Sequence, residues 1–135
     1  MGSKSDFFEN ELLDTFLRNE QFTAPATVWS ALFTVIPSDS TGGTEVTNST
    51  SGYTRVSTSF VTAGLTTDGR SSNSAAVSFV TVAGGATLTI VGWALMDTST
   101  VAAGNVFYWA TVTSTVLEVG DQATFPAANI VITED

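Results

Sequence analysis

The stretch 86–109, ATLTIVGWALMDTSTVAAGNVFYW, sets two apolar, β-branched runs on either side of a short polar turn. A chain with this centre folds as an all-β domain around an antiparallel hairpin. With the two-residue period of a strand, Leu88, Ile90, Gly92, Ala94 and Met96 take one face, and Thr87, Thr89, Val91, Trp93 and Leu95 take the other. Both faces are largely apolar, so this strand is expected to be covered on both sides. Residues 97–100 interrupt the run, Gly104 and Asn105 carry turn chemistry, and VFYWATVT returns. Each buried ring removes about 150–250 Å² from water, or roughly 4–6 kcal/mol gross. Trp93 and Trp109, with Trp29 in an earlier strand, are therefore the expected core anchors.

The rest of the chain agrees with that centre. Residues 5–18, SDFFENELLDTFLR, form the one convincing helix: Phe8, Leu12, Leu13, Phe16 and Leu17 recur at helical spacing. Asp6 with Glu9 reads as its capping box, Arg18 sits in the last turn, and Asn19 closes it. Phe8, Leu12, Phe16 and Leu17 are the candidate docking stripe. The reading favours their packing on the domain's own sheet, leaving the tip 1–5 and the loop 38–52 for outside contacts.

After Pro25, residues 27–36 read as a strand with Trp29, Ala31, Phe33 and Val35 on one face. Residues 44–47 make at most a short edge strand. Residues 53–62 alternate as a half-buried strand with one side to water, with Tyr53, Arg55, Ser57 and Ser59 set against Thr54, Val56, Thr58 and Phe60. Strands follow at 75–82, at 116–119, near Phe125 and at 130–133, separated by Gly, Asp and Pro signals. Seven to nine strands in this order describe an antiparallel β-sandwich or jelly roll with one N-terminal amphipathic helix. Residues 1–24 form the helix and connector and 25–135 the sandwich, together one compact domain.

Chemistry is narrowed by what is missing. The 135 residues contain no cysteine and no histidine, which removes the usual ligands of zinc, haem and iron–sulfur sites and the parts for Cys/His or Ser/His/Asp catalysis. No enzyme activity and no cofactor are expected. The formal charge is −9, and the four basic residues Lys4, Arg18, Arg55 and Arg70 are spread along the chain, the reverse of what a phosphate backbone needs. No apolar leader and no bilayer-length run is visible, so neither nucleic acid nor membrane is an expected partner. Only 13% of residues are charged, and the surface depends on Ser and Thr for its solubility.

The candidate sites each have a plainer explanation. Asp97, Glu118 and Asp121 are the acids nearest the core strands and could pair for glycoside hydrolysis, but Asp97 and Asp121 stand where strands become turns. Asp39, Glu45 and Asp68 lie in hydroxyl-rich loops without calcium-loop spacing, so no metal ligands are assigned. Sugar stacking would call on Tyr53 or Tyr108, the only tyrosines, since the tryptophans fall within strands. Asn48-Ser49-Thr50 matches a glycosylation acceptor without a secretory signal.

The order of strings is more telling: LLDTFL in the helix, VWSALFT after the proline, GGTEV, GYTRV, VGWALMD, FYWATV and a close in VGDQATFPAANIVIT. It resembles a family of small bacteriophage virion proteins described as tail-fibre-like. The resemblance implies a β-sandwich built into a phage particle after synthesis in the host cytoplasm, with the major capsid protein or other virion proteins as partners and a homotrimer as its assembly. Two placements follow. One is a capsid decoration, or cement, protein that binds the outer capsid surface and stabilises contacts between coat subunits; the other is a tail, fibre or baseplate component that touches host-surface carbohydrate. The absence of a shaft repeat or coiled coil favours decoration. The motif positions Gly43, Thr44, Glu45, Gly52, Tyr53 and Arg55 gain no role from the resemblance.

Overall fold

The computed structural model describes residues 3–47, 51–65, 68–85 and 87–134. The acceptor-like triplet Asn48-Ser49-Thr50 and the first two residues of the N-terminal tip lie outside the described residues. Chain order is β1 (Ser3–Lys4), α1 (Asp6–Arg18), β2 (Val28–Val35), β3 (Thr44–Glu45), β4 (Val56–Thr58), β5 (Arg70–Ser72), β6 (Val77–Ser78), β7 (Leu88–Met96), β8 (Val106–Leu117), β9 (Thr124–Phe125) and β10 (Val131–Thr133).

All strand pairs among the described residues are antiparallel, and the fold is an all-β sandwich with the helix α1 near its start. The main sheet runs β1-β8-β7-β2-β3, with β4 also on β2. Two ribbons, β10-β5 and β6-β9, form the opposing layer. The principal core lies between the layers, where Leu32, Ile90, Trp93, Leu95 and Leu117 of the sheet meet Val77, Phe79, Val82 and Ile130. A smaller cluster of Ala31, Phe33, Ala94 and Met96 occupies the other face of the sheet. Asn73, 1% exposed, knits the second layer: its Nδ2 donates to Ala75 O at 2.8 Å and Pro126 O at 2.9 Å, and its Oδ1 accepts from Ile130 N at 2.8 Å.

The central hairpin is β7 with β8, but its faces differ from strict alternation. Leu88 and Ile90 pack in the same cluster as Trp93 and Leu95, while Ala94 and Met96 belong to the other. The change coincides with a break in the pairing to β8. Thr111 faces Gly92 and Thr115 faces Ile90, so residues 112–114 stand opposite Val91 alone, and the alternation restarts across this bulge. The runs expected as 106–113 and 116–119 are thus one long bulged strand. A second shift pairs Leu95 with Tyr108 and Met96 with Val106, leaving Phe107 without an opposite residue. Beyond Ala110 the outer edge of β8 has no strand partner among the described residues.

Of the expected anchors, Trp93 is 4% exposed in the principal core, whereas Trp29 and Trp109 are half-buried against the smaller cluster. The strands expected at 53–62 and 75–82 shrink to β4 and β6, with Phe60 adding an isolated bridge to Asn73. The intervening side chains bond across loops instead of along ladders.

The helix keeps its limits but not its cap. Ser5, not Asp6, is the N-cap, its Oγ accepting from Phe8 N at 3.3 Å, and Asn19 closes the helix at φ 55°. The tip also has a structural role that its polarity concealed. Ser3 and Lys4 pair with Trp109 and Tyr108, Ser5 N donates to Phe107 O at 3.0 Å, and Ser5 Oγ donates to Val106 O. This strand delivers α1 to the bulge, where the unpaired Phe107 meets Phe8 at 5.0 Å between ring centroids and Phe22 at 6.3 Å. Replacing Phe107 by Ala is expected to cost about 3–5 kcal/mol, read as a lower urea midpoint at unchanged slope.

Candidate functional site

The two charges that the motif strings left without a role form a densely hydrogen-bonded buried cluster. Glu45 on β3 and Arg55 just before β4 are fully enclosed, with side-chain exposures of 5% and 0%. Glu45 Oε1 accepts from Arg55 Nε at 2.8 Å and Tyr53 Oη at 3.0 Å. Its Oε2 accepts from Arg55 Nη2 at 2.8 Å and from Ala102 N at 2.7 Å. Arg55 also donates to Thr98 O at 2.7 Å and Ala103 O at 2.9 Å, while Tyr53 Oη accepts from Leu32 N at 2.9 Å.

This network fastens the β7–β8 turn to the far side of the sheet. The turn is closed within itself by Asp97, whose carboxylate accepts from Asn105 N and Asn105 Nδ2, each at 2.8 Å. Gly104 is required there, since at φ 79° a Cβ would run into that carboxylate. Beside the pair lies a cavity of about 200 Å³ walled by Phe33, Met96, Val106 and the turn. Both carboxylate oxygens already hold two donors, so Glu45 has no lone pair placed to act as a base on a molecule there.

The carboxylate of Asp121 is likewise engaged within its own turn. Asp121 Oδ2 accepts from Glu118 N at 2.9 Å, which closes the turn after β8. Asp97, Glu118 and Asp121 are thus turn-forming residues in this structure, not a facing pair. Asp39, Glu45 and Asp68 are not brought together: Asp39 O accepts from Asp6 N at the helix start, and Glu45 is held by Arg55. Tyr53 is buried beneath the network and presents no face to a sugar. Tyr108 is half-buried against Phe8, and its Oη donates to Glu134 Oε1 at 2.5 Å.

Burial disfavours both phenolates, with the charge of Glu45 adding to the effect at Tyr53 and the Glu134 hydrogen bond adding at Tyr108, so both pKa values lie well above the usual tyrosine range. For Glu134 burial acts upward, but the hydrogen bonds from Lys4 and Tyr108 and the charge of Lys4 outweigh it and hold the carboxyl below its ordinary value. Lys4 Nζ lies 2.5 Å from Glu134 Oε2, which ties β1 to the segment after β10.

Two surfaces remain open. One is a groove between β8 and the segment 122–132, about 220 Å³ beside Trp93 and Tyr108 and about 350 Å³ beside Leu117 and Gln122, joined at Val112 and Phe125. The other is α1. Phe8 and Leu12 are half-buried, while Leu13, Phe16 and Leu17 are 55%, 80% and 78% exposed. The stripe read from sequence is therefore divided between the domain and the solvent. Sequence reasoning missed the Glu45–Arg55 pair. The available signal was two opposite charges, each followed by valine, in adjacent segments of a charge-poor chain. Among the described residues no helix is long and apolar enough to cross a membrane.

Two outcomes test the network. Arg55→Met leaves a buried carboxylate unpaired and is expected to lower stability by about 3–5 kcal/mol; the double variant with Glu45→Gln should lose less than the two single losses added, as a thermodynamic cycle in urea would show. The tyrosines give a pH signature. Unfolded chains release phenolic protons near pH 10, by the ordinary tyrosine value of about 10, while the folded protein holds them. The stability this contributes is complete below that pH and is lost as pH rises above it. Near-ultraviolet titration should show tyrosinate appearing together with loss of the β-sheet circular dichroism, not before it.

Compared with known families, a model described as Podophage GP4 fiber I protein gp80 matches residues 3–133. Among the curated proteins nothing matches.

Proposed function

Because the chain belongs to the Podophage GP4 fiber I protein gp80 family, and so to the structural components of phage virions, we propose that it is a non-enzymatic building unit of a tail fibre, held in place by other virion proteins. The observation that carries this reading is the near full-length match to a family described as fibre protein. It favours the fibre over the capsid decoration expected from chain length. Compactness argues only against a shaft made by one chain, because reach can come from the assembly in which a compact unit is set.

The geometry supports a structural role in a second way. The buried Glu45–Arg55 cluster is closed on itself, with each oxygen of Glu45 occupied by two donors, and its effect is to fix a turn and a sheet rather than to hold a reacting group. Gold-labelled antibody against the protein, applied to intact particles of the encoding phage, is expected to mark fibres at the tail vertex in electron micrographs. Label spread over the whole head would overturn the fibre reading in favour of decoration.

A further inference from the structure

The outward side of α1 is a built but unpartnered surface. Leu13, Phe16 and Leu17 lie within one turn of one another, three and four residues apart, and so share a face. Phe8 on the inward side packs on Phe107, Tyr108 and Phe22. Single exposed leucines are ordinary, whereas three large apolar side chains side by side on a helix mark an interaction surface.

The charges around the patch state what kind of surface fits it. Glu9 stands four residues before Leu13 on the same side of the helix, Asp6 stands three before Glu9, and both are exposed. The nearby Arg18 is taken up by Asp14 at 3.2 Å and Glu20 at 3.5 Å. The patch is thus apolar with an acidic rim, and its complement is an apolar groove edged by Lys or Arg. A second copy of this chain is poorly equipped to supply that groove. Lys4 is paired with Glu134, Arg18 is held on its own helix, and Arg55 is buried, which leaves only Arg70 outside an ion pair among the described residues. An anionic lipid surface is disfavoured by the same acids.

We propose that the face formed by Leu13, Phe16 and Leu17 docks, helix in groove, on a different protein of the phage particle whose apolar groove carries a basic rim. This rests on the virion reading above. The side chains are exposed, so they can be replaced by a good helix former without opening the core. A phage carrying L13Q, F16Q and L17Q together is expected to yield protein that melts like the unaltered chain but is incorporated into purified particles roughly tenfold less or worse, the scale of losing anchor side chains. A photo-activated benzoylphenylalanine at position 16 of the otherwise unaltered protein is expected to cross-link, within the particle, to a Lys- or Arg-flanked apolar peptide of another virion protein.

Undiminished incorporation of the folded triple variant overturns the proposal. So does a cross-link to a second copy of the chain, to lipid, or to an acidic peptide, and the cross-link alone decides if the triple variant melts early. Absence of the unaltered protein from particles would instead remove the virion reading on which the proposal stands.

Discussion

A carboxylate and a guanidinium withdrawn from water together cost more than their attraction returns unless the remaining lone pairs and N–H groups also find partners. The Glu45–Arg55 pair meets that condition only when four pieces of chain are in place at once: β3, the segment from Tyr53 to Arg55, β2 through Leu32 N, and the turn that contributes Thr98, Ala102 and Ala103. Hydrophobic packing tolerates small slips, because one methyl group substitutes for another. A bidentate ion pair with directional partners does not. In a chain whose faces are otherwise Thr, Ser and Val, this is the contact that makes one register of the sheet much better than its neighbours.

The long strand β8 depends on that register and uses it in three ways. Its start is bulged at Phe107, which turns one ring out of the ladder and towards the helix. Its next residues alternate between the two apolar clusters, with Tyr108 and Ala110 packing against one and Trp109 against the other. Its outer edge receives Ser3 and Lys4, and the Lys4–Glu134–Tyr108 cluster joins that edge to the opposing layer. The helix is thereby held at its beginning, through Ser5 and Phe8, and left free along the outward side of its second half.

Much of this was legible locally. The hairpin, the helix limits, Asn19 as its closing residue and the short strands near Phe125 and at 131–133 follow from periodicity and turn chemistry within a few residues. What escaped depends on distant partners. The face change within β7 accompanies a break in its register with β8, which no window over β7 contains. Arg55 sat in a segment read as half-wetted, since a charge in an alternating run is placed outside by default; only the proximity of Glu45, ten residues earlier, reverses that. Ser3 to Ser5 looked like a polar tip because backbone pairing leaves no mark in composition. The apolar stripe of α1 was plain from its spacing, but spacing says that a face avoids water and not which object covers it.

The edge of β8 beyond Ala110, which has no strand partner among the described residues, bears on how copies of such a chain meet. Its run ATVTSTVL is uncharged, β-branched and free of proline, the composition from which strands stack without end. The pairing of β8 is irregular at 112–114, and a bulge bends and twists a strand away from the flat edge that a second strand would need. Crowded copies are thereby denied the simplest route to run-on polymerisation, a route with no natural stopping point. Contacts between copies, where they form, are then left to side-chain surfaces of finite size, which end where those surfaces end.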